Sequence, residues 1–330
     1  MMMAGRELTI DAKFAAKRRA WARKPTILNT EHRVYLGDGR RMSELGAHPV
    51  HLVVTSPPYW NLKEYPDGID AQLGNLADYR AFNKELRSVW ERCFQLLVPG
   101  GRLCVVVGDV CLSRRKAGRH SVVPLHADIA SMCMEIGFDY LSPIFWYKIA
   151  NAATEVEGNG AAFLGKPYEP NAVIKNDVEY ILILRKPGAY RNPTSEQRAL
   201  SIIDRKDHDR WFRQVWTDVP GQARLQGHPA PYPKEVAFRL INMFSFVGDS
   251  VLDPFWGTGT TTAAAIDAHR SSIGYEIEPR YIEIGKARFQ QGHIDAKVDF
   301  FENPSLAGLS VPSDARTPKA GRTQIVTAAG

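Results

Sequence analysis

The apolar run "VHLVVT" (50–55) shows no polar alternation, so it reads as a strand buried on both faces, as an interior strand of a parallel sheet is. "HRVYLG" (32–37), "RLCVVVGD" (102–109), "FDYLSPIFWYK" (138–148) and "VEYILILRK" (178–186) read as further strands. Between them, Leu76, Tyr79, Phe82, Leu86, Val89, Trp90, Phe94 and Leu97 recur at helical spacing, and Pro99-Gly100-Gly101 stops that helix. A second helix is expected over 122–136. From residue 233 the order is a helix (233–245), a strand ("DSVLDP"), a Gly-rich turn, a helix (259–269), a strand ("SSIGYEI") and a helix opened by Pro279. This alternation predicts an α/β fold around a mostly parallel sheet.

Other stretches lack a clear period. Residues 11–24, "DAKFAAKRRAWARK", read as a short basic helix, either a solvated leader or a phosphate-contacting arm. Ala150 to Asp177 is a long, small, Gly-rich loop, of the kind that is usually functional or mobile. Residues 187–227 mix charges, aromatics and turn formers. After about residue 302 the composition predicts a disordered tail. No internal repeat is present.

Composition changes this picture little. A length of 330 residues fits roughly two domains or one large α/β domain with insertions. The net charge of +6 is compatible with a nucleic-acid partner without requiring one. The four cysteines, Cys93, Cys104, Cys111 and Cys133, form no Cys-x-x-Cys pair and have no histidine at zinc spacing, so reduced thiols in a cytoplasmic protein are expected and no metal is. "MMMAGRELTI" lacks the apolar core of a signal peptide, and no run approaches the ~18 apolar residues of a membrane span.

Two stretches carry chemistry. The strand 50–55 ends in "TSPPYW" (55–60), where two prolines force a rigid turn bearing a hydroxyl and two aromatics. Such a turn is a floor for a flat, polar ligand. The second is "VLDPFWGTGTTTAAAIDAHRSSIGYEIEP" (251–279), a strand, a Gly-rich turn, a helix and a strand ending in an acid. Gly257 and Gly259 let the backbone approach a ligand, and Glu276 follows Gly257 by 19 residues, near the ~20-residue offset at which an acid meets ribose hydroxyls. This half is expected to bind an adenosine. "GTGTTT" has no P-loop lysine, and Thr262 stands where a dinucleotide fold wants its third glycine. S-adenosylmethionine remains, with Asp253 placed to face its ammonium group.

"TSPPYW" together with "DPFWGTGTTT" resembles the amino-methylating DNA methyltransferases, in the motif order of their circularly permuted β group. Satellites are Gly37-Asp38, "FWYK" (145–148), "HPAPYP" (228–233) and "GYEIEPRYIEIGKAR" (274–288), and the resemblance spans roughly 30–292. It implies a Rossmann-like methyltransferase fold, S-adenosyl-L-methionine as cofactor, and methyl transfer to an exocyclic amine of a base flipped out of double-stranded DNA. By this resemblance Ser56, Pro57, Pro58 and Tyr59 are catalytic. The Ser56 hydroxyl and the Pro57 carbonyl would accept the two amine N–H groups, and the Tyr59 ring would stack on the base. Asp38, Asp253, Pro254, Phe255, Gly257, Gly259, Thr260, Thr261, Glu276 and His228 would hold the cofactor. Serine before the two prolines goes mostly with cytosine N4 and aspartate with adenine N6, so N4-cytosine is favoured. No cysteine follows a proline, so the nucleophile of cytosine-C5 methylation is missing.

The implied organisation is a basic leader (1–26), a catalytic half (27–186), a target-recognition region (187–227), a cofactor half (228–302) and the tail (303–330). Arg205, Lys206, Arg210, Arg213 and Arg224 are the candidates for DNA contact, and a restriction endonuclease acting on the same site is an expected partner. Trp60 is expected to pack in the core, Trp146 in the core or the base pocket, and Lys148 and the run 114–119 to be solvated charges. The rivals are adenine-N6 methylation on the same fold, a DNA-binding subunit without turnover, and a nicotinamide-dependent dehydrogenase.

Overall fold

The computed structural model describes residues 29–46, 48–60, 72–112, 117–148, 170, 174, 176–221, 232–291 and 296–302. The basic leader, most of the 150–177 loop, the tail, Arg224 and His228 lie outside these residues.

Eleven strands are described: β1 His32–Leu36, β2 Val50–Thr55, β3 Leu97–Val107, β4 Val110–Leu112, β5 Ser121–Val123, β6 Asp139–Tyr147, β7 Val178–Arg185, β8 Val215–Trp216, β9 Ser250–Asp253, β10 Ser271–Glu276 and β11 Val298–Glu302. The α-helices are α1 Tyr79–Leu96, α2 Leu125–Ile136, α3 Ser195–Leu200, α4 Arg205–Trp211, α5 Lys234–Phe244, α6 Thr260–Asp267 and α7 Pro279–Gln291. Nine strands form one sheet in the order β11-β1-β10-β9-β2-β3-β7-β6-β8, and β4 pairs with β5 apart from it. Only β7 runs against its neighbours. The fold is α/β with a mostly parallel sheet, as the apolar pattern predicts.

Both faces of the central strands are buried, and the period of 2 assigns alternate residues to two layers. Val53, Leu103 and Val105 join a core with Phe82, Leu86 and Trp90 of α1 and Ile129 of α2. Leu52, Val54, Cys104 and Val106 join another with Val236 and Leu240 of α5 and Ala264 of α6. Trp60 is buried in the first and Trp146 in the second, its indole N–H donating to the Val219 carbonyl at 2.8 Å. Cys93, Cys104 and Cys133 are buried free thiols, and burial pushes Cys104 up to about 12. No helix among the described residues is long and apolar enough to cross a membrane.

The structure departs from the apolar pattern in five places. Strand β3 begins at Leu97, directly after α1, so Pro99-Gly100-Gly101 lies inside a strand instead of ending the helix. Helix α1 starts at Tyr79 because the Asp78 side chain accepts the Ala81 N–H at 2.7 Å, a capping interaction. Helix α2 starts after Pro124 rather than at 122, because Ser121–Val123 pairs with Val110–Leu112. The aperiodic region holds α3 and α4. The capping box of Thr194 and Gln197 that opens α3 is a local signal that helical periodicity misses in six residues. Strand β11 lies past the resemblance and pairs in parallel with β1, a partner about 265 residues earlier that no local pattern reveals.

Candidate active site

From β2 the sheet continues one way through β3, and from β9 it continues the other way through β10, so the direction of winding reverses between β9 and β2. Ligands of open α/β sheets bind at such a switch point, beyond the carboxyl ends of the strands. The ends of β1, β2, β3, β6, β9 and β10 and the start of the reversed β7 meet on that edge, which brings Asp38, Ser56, Gly108, Lys148, Glu179, Asp253 and Glu276 to one side of the molecule.

The two stretches singled out in the sequence touch across the switch point. The Thr55 hydroxyl, at the end of β2, donates to Asp253 Oδ1 at 2.6 Å. The Phe255 N–H donates to the same oxygen at 3.1 Å, and the Thr261 hydroxyl donates to Oδ2. Thr261 thereby uses its one hydrogen, so the Tyr232 phenol donates to Thr261, at 2.5 Å. Burial pushes the Asp253 carboxyl up to about 6, opposed by the Thr261 and Thr55 hydroxyls and the Phe255 N–H.

Glu276, at the end of β10, is buried. One carboxylate oxygen accepts the Gly257 N–H at 2.7 Å and the other the Glu278 N–H at 2.9 Å. Burial pushes this carboxyl up to about 8, against those donors. The spacing from Gly257 to Glu276 thus first closes an internal contact between turn and strand end. Asp38 is buried as well, and the Arg40 Nε lies 3.0 and 2.9 Å from its two oxygens. Arg40 also donates to Glu85 at 2.5 Å. The next backbone position, Gly39, approaches the Pro254 carbonyl so closely that a Cβ there would lie 2.5 Å from it. The loop after β1 and the turn after β9 are therefore packed together, with Phe255 set edge-on against Trp90.

The glycines of this half have a reason that sequence reasoning missed. Trp256 is buried, and a Cβ at Gly274 would lie 2.1 Å from its ring, one at Gly285 2.3 Å, and one at Gly259 2.8 Å. Gly259 also sits at φ +87° and faces Phe289, so its missing side chain makes room for core rings rather than for a ligand. Gly257, at φ +58°, keeps the expected turn conformation. Thr260 is buried at the start of α6.

On the other side of the switch point, Ser56 is half-buried and its hydroxyl lies 3.4 Å from the Tyr59 phenol. Tyr59 donates to Glu179 Oε2 at 3.1 Å, with the Val106 carbonyl a longer alternative at 3.4 Å. Lys148 donates to Glu179 Oε1 at 2.8 Å. Lys148 is thus an ion-pair member at this edge rather than a solvated charge. Pro57 is buried, and Trp60 takes a left-handed backbone (φ +45°) that carries its ring into the core, 5.0 Å from Tyr79. Close by, the Asp109 carboxylate lies 2.6 Å from His126 Nδ1, and the His126 ring stacks on Tyr180 at 3.6 Å. Glu179, Asp109 and His126 escaped the sequence reading because each is a single polar residue with no spacing signal, Glu179 brought in by the pairing of β7 with β3 and His126 by the packing of α2 against that edge.

The comparisons with known proteins fit this geometry. The family model described as DNA methylase, of the N6/N4 methyltransferase type, matches residues 50–287. The chain belongs to the DNA methylase family. It is 37% identical over 278 residues to the type II methyltransferase M.MjaI of Methanocaldococcus jannaschii, covering 76% of this chain and 88% of the relative. It is 35% identical over 285 residues to M.MthZI of Methanothermobacter thermautotrophicus, covering 80% and 78%. Among solved structures, TTHA0409 of Thermus thermophilus, determined in complex with S-adenosyl-L-methionine, is 47% identical with a TM-score of 0.67, covering 82% of this chain and 98% of that one.

In this DNA methylase the basic candidates for DNA contact do not behave as one group. Arg205 and Lys206 are exposed at the start of α4. Arg213 donates to the Asp209 carbonyl at 2.7 Å. Arg210 is held by Asp218 at 2.9 Å, beside the buried Arg239. Arg239, and after it Arg210, hold the Asp218 carboxyl down to about 2. Arg210 therefore belongs to the framework that fixes α4 to α5. No cluster of metal-ligating side chains occurs among the described residues.

Proposed function

We propose that the chain transfers a methyl group from S-adenosyl-L-methionine to the exocyclic N4 of cytosine in double-stranded DNA, by base flipping and direct displacement, on the circularly permuted arrangement of the β group. The observation that carries this reading is the junction of Ser56-Pro57-Pro58-Tyr59 with Asp253 through Thr55 at the switch point. The complex of the Thermus relative with S-adenosyl-L-methionine supports the choice of cofactor.

The residues present fit that cofactor. Asp253 and Glu276 are buried carboxylates at strand ends, each held open to further donors because a carboxylate accepts about four hydrogen bonds. Glu276 is assigned the ribose hydroxyls, Asp253 the ammonium group, and Phe255 the apolar wall between Trp90 and the cofactor. Asp38, gripped by Arg40, is assigned the adenine amine of the cofactor. Pro254, Gly257, Thr260 and Thr261 shape the turn, and His228, outside the described residues, is proposed as a cofactor residue on the resemblance alone. The cofactor supplies a methyl group on a sulfonium, so no covalent intermediate on the protein is needed.

Ser56 and the Pro57 carbonyl accept the amine hydrogens of the flipped base, which orients the nitrogen lone pair. The rigid Pro-Pro turn maintains that orientation, which is where proximity lowers the barrier. Tyr59 offers its ring face to the base. A restriction endonuclease acting on the same site is the proposed partner, in keeping with the type II relatives.

The test is mass spectrometry of nucleosides from DNA treated with the protein and cofactor. N4-methylcytosine is expected. N6-methyladenine would overturn the base assignment, and no methylated base would favour a DNA-binding subunit without turnover. Ser56→Ala is expected to slow methylation by about a hundredfold or more while cofactor affinity is kept.

A further inference from the structure

Methylation of an exocyclic amine leaves a proton to remove, and the residue nearest the amine in the proposed pocket cannot keep it. Ser56 is a neutral hydroxyl, and holding the proton would make it a strongly acidic oxonium. The hydrogen bonds around it lead to a carboxylate. Tyr59 has one hydroxyl hydrogen, and Glu179 Oε2, at 3.1 Å, is a nearer acceptor for it than the Val106 carbonyl at 3.4 Å. With that hydrogen on Glu179, Tyr59 is the acceptor in its 3.4 Å contact with the Ser56 hydroxyl. The Ser56 hydrogen then points to Tyr59, and its lone pairs are left for the amine of the base. Lys148 donates to the other oxygen of Glu179 at 2.8 Å and neutralises a charge that would otherwise be buried alone. A Cβ at Gly108 would lie 3.3 Å from both Tyr59 and Glu179, so the phenol and the carboxylate are packed tightly from β3.

Resting on the methyltransferase reading above, we propose that Ser56, Tyr59 and Glu179 form a polarised proton relay that carries the amine proton of the methylated base to Glu179. The nitrogen lone pair forms the N–CH3 bond as the S–CH3 bond breaks and its electron pair stays on sulfur. The nitrogen becomes cationic and releases one N–H proton to Ser56 Oγ. The Ser56 hydroxyl proton passes to Tyr59, the Tyr59 proton passes to Glu179 Oε2, and the carboxylate becomes a neutral carboxylic acid beside the Lys148 ammonium. Lys148 is half-buried, and solvent removes the proton at that end after turnover. The same chain acts before the bond forms, because positive charge growing on the nitrogen is drawn toward Ser56. The 3.4 Å contact is long for a hydroxyl pair, as catalytic hydrogen bonds often are without substrate. Glu179 touches no reacting atom and is a positioning residue acting through Tyr59.

The experiment measures single-turnover methyl transfer with the full chain, saturating cofactor and the DNA that the wild type methylates in the nucleoside assay above, for wild type, Tyr59→Phe, Glu179→Gln and the double variant. Tyr59→Phe keeps the ring face and removes one oxygen. Each single variant is expected to be slowed about tenfold to a hundredfold with cofactor and DNA affinities within about twofold of wild type. The double variant is expected to be no slower than the worse single one, because both break the same chain. The solvent deuterium isotope effect on the wild-type rate should shrink in both singles, which a loss of packing alone would not produce. Wild-type rates in both variants, or a double variant slowed by the product of the two effects, overturn the relay while the methylated nucleoside made by the wild type keeps the underlying reading intact. A wild type that makes no methylated base overturns both. If Glu179→Gln fails to fold by thermal melting, Tyr59→Phe decides alone by its rate and isotope effect.

Discussion

The two sides of the switch point are built on opposite plans. On the β1–β10–β9 side, buried carboxylates are held by backbone N–H groups and hydroxyls, and one indole, Trp256, stands in a socket formed at Gly259, Gly274 and Gly285. On the β2–β3–β7–β6 side, side chains from three strand ends form an open-ended chain, from Ser56 through Tyr59 and Glu179 to the half-buried Lys148. The first side suits a ligand that is bound in the same way in every cycle, because backbone donors have few alternative positions. The second suits a reacting group, because its hydroxyls and carboxylate run as one chain from Ser56 to a half-buried end at Lys148, along which a proton can be passed.

The contrast can be broken most severely at the socket. Trp256→Ala removes a large side chain from a site already lined by glycines, and about 3–5 kcal/mol of stability should be lost. Thermal or denaturant unfolding measures it, and a loss below about 1 kcal/mol would mean that the cofactor side is not held by this packing.

Next in size is Glu276. Glu276→Ala should weaken S-adenosyl-L-methionine binding about tenfold to a hundredfold by calorimetry, the range of a lost hydrogen bond to a charged group. An unchanged affinity would remove its ribose role. The pH dependence sharpens the same point. Burial pushes Glu276 up to about 8, so below that pH the carboxyl carries a proton that the ribose hydroxyls must compete with. Affinity is expected to rise with pH toward 8 and to level off above it, and Glu276→Gln should flatten the curve. For the cofactor-free protein the sign is opposite. The folded state then binds a proton that the unfolded state, with an ordinary glutamate, releases, so the contribution of Glu276 to stability should fall as pH rises from about 4.5 to 8. Burial holds His32 down to about 4 and lowers His51, which pulls the other way at the acid end of this window, so the reading is the difference between wild type and Glu276→Gln: the wild type should lose stability relative to the variant as pH rises, and a constant difference in melting would contradict the shift.

The smallest expected effect lies outside both sides, on α4. Arg205→Ala and Lys206→Ala should each reduce the slope of log affinity for DNA against log salt by about 1 if they meet phosphates. Arg210→Ala should instead lower the melting temperature, because Arg210 helps to hold Asp218 beside Arg239. A salt slope altered only by Arg210→Ala would reverse these assignments.

The amino-acid sequence by itself determined the layered α/β architecture, since apolar runs buried on both faces and helices with one apolar stripe admit few other arrangements. It also marked Ser56 to Tyr59 and the turn after Asp253, because prolines and glycines constrain the backbone wherever they stand. Tertiary structure alone decided what those marks do for one another. Whether Glu179 meets Tyr59 depends on β7 running antiparallel to β3 with Val107 opposite Tyr180, and a shift of one residue would turn the carboxylate to the other face. Whether Gly259 faces a ligand or a tryptophan depends on where α7 packs. Contacts of this kind join residues about 120 positions apart, and their energies come from burial and register, which no local spacing in the chain encodes.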